Sequence, residues 1–311
     1  MRFGILGWGK IARTQLAPAI AQAGHEVVAI GSRSPTAATM AWSEQQPPAR
    51  WTSYEGVLND PRVDAVYIAL PNDSHVPWSL KALAAGHHVL CEKPMALSLA
   101  DVDRLSQAAQ TAQRHLHEAY MVLHHPQWAA LKALDVGAWR HLQVTFSYDN
   151  RDPANIRNQA ALGGGALWDI GCYAVLLGHW LMERAPDAVR CHQTRHPDWS
   201  TDIHTQGELR WGNASVLQFS VSTQSVRHQS ALAVGERGWV ALDAPFNPPP
   251  QAPWRASEGL DLPNTPTINQ YAAMVHDFAA KSEAGVPTDL SLSRDVTQTL
   301  LRLHAAAHTL S

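Results

Sequence analysis

Cysteine is scarce: Cys91, Cys172 and Cys191 are the only three in 311 residues, and no C-x-x-C pair is among them. Neither a disulfide framework nor a zinc site is indicated, and reduced thiols fit a cytoplasmic protein. Long apolar runs are lacking as well. The N-terminus reaches Gly4 and Gly7 after only a few apolar residues, too few for a signal peptide, and no later stretch reads as a membrane span. Charge of one sign is also missing: 24 Lys and Arg against 27 Asp and Glu leave a formal charge of -3. Nucleic acid and acidic lipid therefore have no electrostatic footprint here. What remains is an ordinary globular composition, 45% hydrophobic, on a chain long enough for two domains with separate cores.

The first 120 residues alternate short apolar runs with helical patterns, the rhythm of a parallel sheet flanked by helices. The spacing predicts strands over 3–6, 26–30, 63–70 and 87–91, a weaker one over 115–121, and helices over 10–23, 35–46, 75–85 and 98–114. Gly24 and Gly86 stand where left-handed caps are wanted. Beyond residue 122 the pattern changes. Helices are expected over 126–134, from Gly163-Gly164-Gly165 to about 182, over 267–284 and from 291 onward. Alternating strands fill 141–148 and 189–242, with hairpin turns at Gly212-Asn213 and between Gly235 and Gly238. The seven prolines of 245–266 read as an irregular surface loop. The fold class is thus α/β, a doubly wound parallel sheet over 1–120 followed by an α+β domain over 121–311 with a large, mostly antiparallel sheet open on one face.

Gly7-Trp8-Gly9-Lys10-Ile11-Ala12 follows the first strand and opens a helix, the G-x-G-x-x-A form of the dinucleotide fingerprint. Gly7 permits the tight turn, Gly9 lets the backbone approach a pyrophosphate, and the helix N-terminus supplies donors and positive dipole. Trp8, Lys10 and Ile11 belong to the same turn and are expected to line the cofactor. The second strand ends Ala29-Ile30-Gly31-Ser32-Arg33 without the Asp or Glu that binds the ribose hydroxyls of NAD. That absence favours NADP over NAD, with Arg33 pairing the 2′-phosphate and Ser32 donating to it. Otherwise Arg33 is an ordinary exposed loop arginine.

Cys91-Glu92-Lys93-Pro94 follows the fourth strand, at the edge where such sheets bind ligands. Together with the glycine turn, Leu70-Pro71-Asn72 with His75, and Gly163-Gly164-Gly165-Ala166-Leu167 leading to Asp169 and Tyr173, it resembles the Gfo/Idh/MocA oxidoreductase family. Glu118-Ala119-Tyr120-Met121, His125-Pro126-Gln127, Asn155-Ile156-Arg157 and Asp169-Ile170-Gly171-Cys172-Tyr173 resemble its branch of dimeric dihydrodiol dehydrogenases, NADP-dependent xylose dehydrogenases and glucose-fructose oxidoreductases. The resemblance implies hydride transfer between nicotinamide and a hydroxyl-bearing carbon of a sugar, polyol or cyclic diol. In that reading Tyr173 is acid and base, Lys93 assists it, and Asp169 binds substrate hydroxyls or holds Lys93. It also places Leu70, Asn72, His75, Glu92 and Lys93 on the cofactor, and Arg157 and Trp168, with Lys93, Asp169 and Tyr173, on the substrate. A homodimer through the open sheet is implied too, with the last helix packing back on the first domain.

In the branch the Glu118 segment commonly reads E-A-F-M-Y-R-F-H-P-Q, whereas here Val122, Leu123 and His124 replace Tyr, Arg and Phe. The alternative reading is a regulatory protein that senses NADP without turning it over. His115, His117, His124 and His125 cluster without completing a recognised ligand spacing, so no metal is expected.

Overall fold

A computed structural model describes residues 1–33, 49–249, 254–260, 262 and 267–309. The helix expected over 35–46 lies outside these residues. The chain divides into two units, Met1–His124 with Ile268–Ser293, and His125–Thr267 with Arg294–Ser311.

The sheet of the first unit contains β1 (Arg2–Leu6), β2 (Glu26–Gly31), β3 (Arg50–Thr52), β4 (Ala65–Ile68), β5 (His88–Cys91) and β6 (Leu116–Glu118). Their order is β3-β2-β1-β4-β5-β6, and every pairing is parallel. β4 is buried at every position, as an apolar run covered on both faces should be. From β1 the chain builds outward to β3, then returns to add β4, β5 and β6 on the other side. The β1/β4 junction is therefore the topological switch point at which doubly wound sheets bind ligands. β3 has no counterpart in the sequence reading, because three residues ending in an exposed edge carry no usable period.

The flanking helices have local reasons to start and stop. Ser98 Oγ accepts the Asp101 amide at 3.2 Å to open Leu99–Ala112, and Asn269 Oδ1 accepts that of Tyr271 at 3.0 Å to open Gln270–Glu283. Gly24 and Gly86 end helices with φ of 79° and 86°, a region open to glycine at little cost. Gln270–Glu283 belongs to this unit, where Phe278 packs on Phe3 with ring centroids 6.0 Å apart.

The second unit carries β7 (Trp139–Asp149), β8 (Ala188–Arg195), β9 (Asp202–Trp211), β10 (Ser215–Ser222), β11 (Gln224–Gly235), β12 (Trp239–Leu242), β13 (Trp254–Ala256) and β14 (Ala307–Thr309). The order is β13-β12-β11-β7-β10-β9-β8-β14, antiparallel except for β7/β10 and β8/β14. Leu142, Val144 and Phe146 on β7 and Leu217, Phe219 and Val221 on β10 are buried, while Gln143 and Gln218 between them are exposed, so one face is covered and one is open. The Cys172–Met182 helix, buried at nine of its residues, belongs with the covered face. Contrary to the sequence reading, the helical run Ala160–Met182 has the length and hydropathy of a membrane span, but 72% of its apolar window is buried within the protein. A second correction concerns 245–266. Trp254, Arg255 and Ala256 form edge strand β13, pairing antiparallel with β12, and the prolines flank this strand rather than interrupt it.

Candidate active site

In the first unit the segments after β1, β2, β4 and β5 emerge along one sheet edge. Gly7 holds φ at 91°, its amide donates to Gly31 O at 3.0 Å, and a Cβ there would stand 2.5 Å from Ala69 O. Only glycine fits both constraints. Above Gly9 a Cβ would meet nothing within 4 Å. The first backbone bond of the helix runs from Arg13 N to Gly9 O at 3.1 Å. The preceding first-turn amides thus have no intrahelical acceptor, as a pyrophosphate cradle requires. Trp8 is nearly buried, edge-on to Trp51 at 5.7 Å. After β2, Ser32 N donates to Thr52 O at 3.3 Å and Arg33 is exposed.

The loops after β4 and β5 are joined by His75. Its ring is 1% exposed, with Nε2 2.8 Å from Leu70 O and Nδ1 2.8 Å from Pro94 O. Burial chiefly lowers its pKa. Both ring nitrogens thus lie against backbone carbonyls, and the neutral imidazole, with a single N–H, donates to one of them. Tyr67, fully buried on β4, donates its hydroxyl to Glu92 Oε1 at 2.5 Å. Burial first, then the Glu92 charge, push the Tyr67 hydroxyl well above its ordinary pKa, so it remains a donor. Lys93 is half-buried and joined to Pro94 by a cis peptide bond. The next amide, Met95 N, donates to Glu118 Oε1 at 2.8 Å.

In the second unit a π-helical turn, Leu167–Gly171, runs into the Cys172–Met182 helix. Asp202 starts it: Oδ2 accepts the Leu167 amide at 2.7 Å and the Thr205 hydroxyl at 2.5 Å. A Cβ on Gly165, whose φ is 117°, would collide with Asp202 Oδ1. Asp169 then receives Tyr148 Oη at 2.6 Å on Oδ2 and Arg157 Nε at 3.1 Å on Oδ1. Burial first and the Asp169 charge second raise the Tyr148 pKa. Tyr173, one helical turn on, is 5% exposed and packs against the stacked pair Phe146 and Phe246, with ring centroids at 5.9 and 5.3 Å. Trp168 is nearly buried and stacks on His304 at 5.4 Å.

Asp169, Arg157 and Tyr173 are therefore brought together within one unit, and Leu70, His75, Glu92 and Lys93 within the other. Four neighbours of these groups escaped the sequence reading: Tyr67, Phe146, Tyr148 and Phe246. Tyr148 had a usable signal, since it shares the helix-facing parity of Leu142, Val144 and Phe146. Of the histidines, His117 Nε2 and His124 Nε2 are 3.3 Å apart, and His124 Nδ1 is 3.7 Å from Asp277 Oδ2.

Comparison with known proteins follows the same division. Residues 1–120 match the model of the oxidoreductase family with an NAD-binding Rossmann fold, and 129–241 match the GFO/IDH/MocA C-terminal domain. An uncharacterized oxidoreductase of Rhizobium meliloti is 33% identical over 306 residues, covering 94% of this chain and 92% of the relative. The NADP(+) D-xylose 1-dehydrogenase 2 of Haloferax volcanii is 32% identical over 320 residues, covering 99% and 98%. Among solved structures, a 3-ketoreductase from Actinomadura kijaniata in complex with NADP and TDP-benzene superposes with a TM-score of 0.89 at 25% identity, covering 100% of this chain and 98% of the other. The glycine turn, the Glu92-Lys93 turn, the capped Asp169–Tyr173 helix and these full-length similarities have one account: the chain belongs to the Gfo/Idh/MocA oxidoreductase family.

Proposed function

We propose that this protein transfers a hydride between NADP and a hydroxyl-bearing carbon of a sugar, or of a related polyol or cyclic diol, with Tyr173 exchanging the hydroxyl proton and Lys93 assisting. The observation that carries the reading is the constellation around Asp169. A carboxylate held by Tyr148 and Arg157 precedes, by one turn of the same helix, a tyrosine walled by Phe146 and Phe246. The cofactor, when bound, supplies or accepts the hydride. The chain's own part is to place the substrate and move one proton. A free tyrosine titrates near pH 10, so an ammonium beside it, the role given to Lys93, would favour the phenolate and orient the substrate oxygen. Asp169, fixed on both oxygens, orients the neighbouring hydroxyls, and Arg157 closes that group at its exposed side. The reaction is tested by following NADPH absorbance with aldoses, dihydrodiols and keto-sugars.

NADP would be held by the glycine turn together with Leu70, Asn72, Glu92 and Lys93, with Ser32 and Arg33 binding its 2′-phosphate. His75 acts behind them, tying the two loops. Arg33→Ala should raise KM for NADP by about tenfold or more while leaving KM for NAD nearly unchanged, since a charge-assisted pair to phosphate is lost. Steady-state kinetics with both cofactors check this, and an unchanged NADP/NAD ratio removes Arg33 from the site.

The open sheet face is proposed to pair with a second copy. Register lines up Arg190, Glu208, Gln218 and Gln143 across β8, β9, β10 and β7, and His192, Gln206, Ser220 and Thr145 in the next row. These polar side chains can meet their symmetry equivalents. Light scattering should give twice the 34.0 kDa chain mass or a multiple of it; a monomer contradicts the pairing.

A further inference from the structure

The buried positions of β11 are Gln229, Ala231 and Ala233, and of these only Gln229 is polar. It lies directly opposite Phe146 on β7. A buried amide costs free energy unless it is hydrogen-bonded, and this one is: Gln229 Oε1 accepts the backbone amides of Phe246 at 2.9 Å and Asn247 at 3.0 Å. A side-chain carbonyl has two lone pairs, so both bonds are made at once. The chain leaving β12 is thereby held at two successive residues.

The residue before them is held from the Pro126–Ala133 helix. Pro245 O accepts Gln127 Nε2 at 2.9 Å and Trp128 Nε1 at 3.0 Å, and both of those side chains are fully buried. His125 Nδ1 takes the Gln127 amide at 3.2 Å to start the helix. His125-Pro126-Gln127, a segment the proposed reaction does not use, thus reaches 118 residues along the chain to one carbonyl. Between the two anchors stands Phe246, fully buried, stacked on Phe146 at 5.2 Å and tilted against Tyr173 at 5.3 Å. Hydrophobic burial is non-directional and keeps a phenylalanine indoors without fixing where its ring stands. Directed hydrogen bonds to residues 245–247 do fix it.

We propose that Gln229 and Gln127 are positioning residues for Tyr173: by fixing residues 245–247 they set Phe246 against the phenol ring and hold its hydroxyl where the proton is exchanged. This rests on the reading of Tyr173 as the acid and base. A misplacement of about 1 Å at a reacting group costs on the order of a hundredfold in rate.

Nitration by tetranitromethane, read by peptide mass spectrometry on the full chain, reports the exposure of Tyr173 without needing a substrate. In Gln229→Leu, which keeps the bulk and loses the acceptor, nitration of Tyr173 should quicken severalfold, while that of Tyr148, in the same unit and bonded to Asp169, stays as in wild type. Gln229→Glu, which keeps an oxygen for the two amides, should return Tyr173 close to wild type. In turnover followed by NADPH absorbance, Gln229→Leu should lower kcat by roughly ten- to a hundredfold with KM for NADP unchanged, and Gln229→Glu should restore most of it. An unmoved Tyr173 nitration rate in folded Gln229→Leu overturns the proposal. If that variant does not fold, Gln127→Leu decides instead, because Trp128 still donates to Pro245 O there: a smaller quickening supports the proposal and an unmoved rate overturns it. Failure of the underlying reading looks different: Tyr173→Phe would keep near-normal turnover, whatever the nitration rates do.

Discussion

Tyr173→Phe should lower kcat by roughly 10²- to 10⁴-fold, the range for losing a positioned acid and base, with KM for NADP unchanged. The substitution removes one oxygen and keeps the ring, so the contacts with Phe146 and Phe246 survive and the helix capped by Asp202 is untouched. The cofactor turn lies in the other unit, on β1 and its following helix, which is why NADP affinity should not follow the loss. Steady-state kinetics with a thermal melt separate the outcomes. A matching melt with kcat down by orders of magnitude supports the role. A kcat within tenfold of wild type removes Tyr173 from the proton transfer.

Gly7→Ala should be the most damaging substitution in the nucleotide half. A non-glycine residue at φ 91° is strained, and the added Cβ would stand 2.5 Å from a backbone oxygen, Ala69 O, which cannot rotate away. Relief requires β1 and β4 to separate at the switch point. The cost is about 3 kcal/mol from backbone strain and displaced packing, a fall in Tm of roughly 10 °C for a unit of this size. NADP binding should weaken in parallel, because the same turn presents the first-turn amides. Gly9→Ala provides the contrast: with nothing within 4 Å of its Cβ, it should fold nearly as well as wild type yet bind NADP poorly. A Gly7→Ala protein that melts with wild type would show that β1 and β4 yield more easily than their packing implies.

The doubly wound sheet was legible in the sequence because its strands are covered on both faces. β1, β4 and β5 are runs of apolar residues that no solvent-facing position interrupts. β3 and β13 were not legible, for they are three-residue edge strands, too short for a period and dependent on the neighbour they pair with. The second sheet was readable where its faces differ, as in Leu217, Phe219 and Val221 on β10. The apolar character of Ala160–Met182 was undervalued because Gly163, Gly164 and Gly165 open it and Asp169 interrupts it.

At the site, the residues of the short motifs stood out through spacing, while their partners did not. Asp169 and Tyr173 share a helix, so four-residue spacing relates them. Tyr148 reaches Asp169 across 21 residues and Tyr67 reaches Glu92 across 25, distances only the sheet register resolves. His75 illustrates the opposite limit. Its place in a Leu-Pro-Asn-x-x-His segment marks it as important, but whether a buried imidazole faces ligand or backbone depends on which carbonyls close around it.

Hydride exchange between NADP and a hydroxyl-bearing carbon is measured directly by NADPH absorbance while the purified protein meets a panel of aldoses, cyclic dihydrodiols and keto-sugars. NADP-dependent turnover of at least one of them is expected, lost in Tyr173→Phe and weaker with NAD. Tight NADP binding with no change in absorbance across the whole panel would contradict it and identify the protein as a sensor of the cofactor.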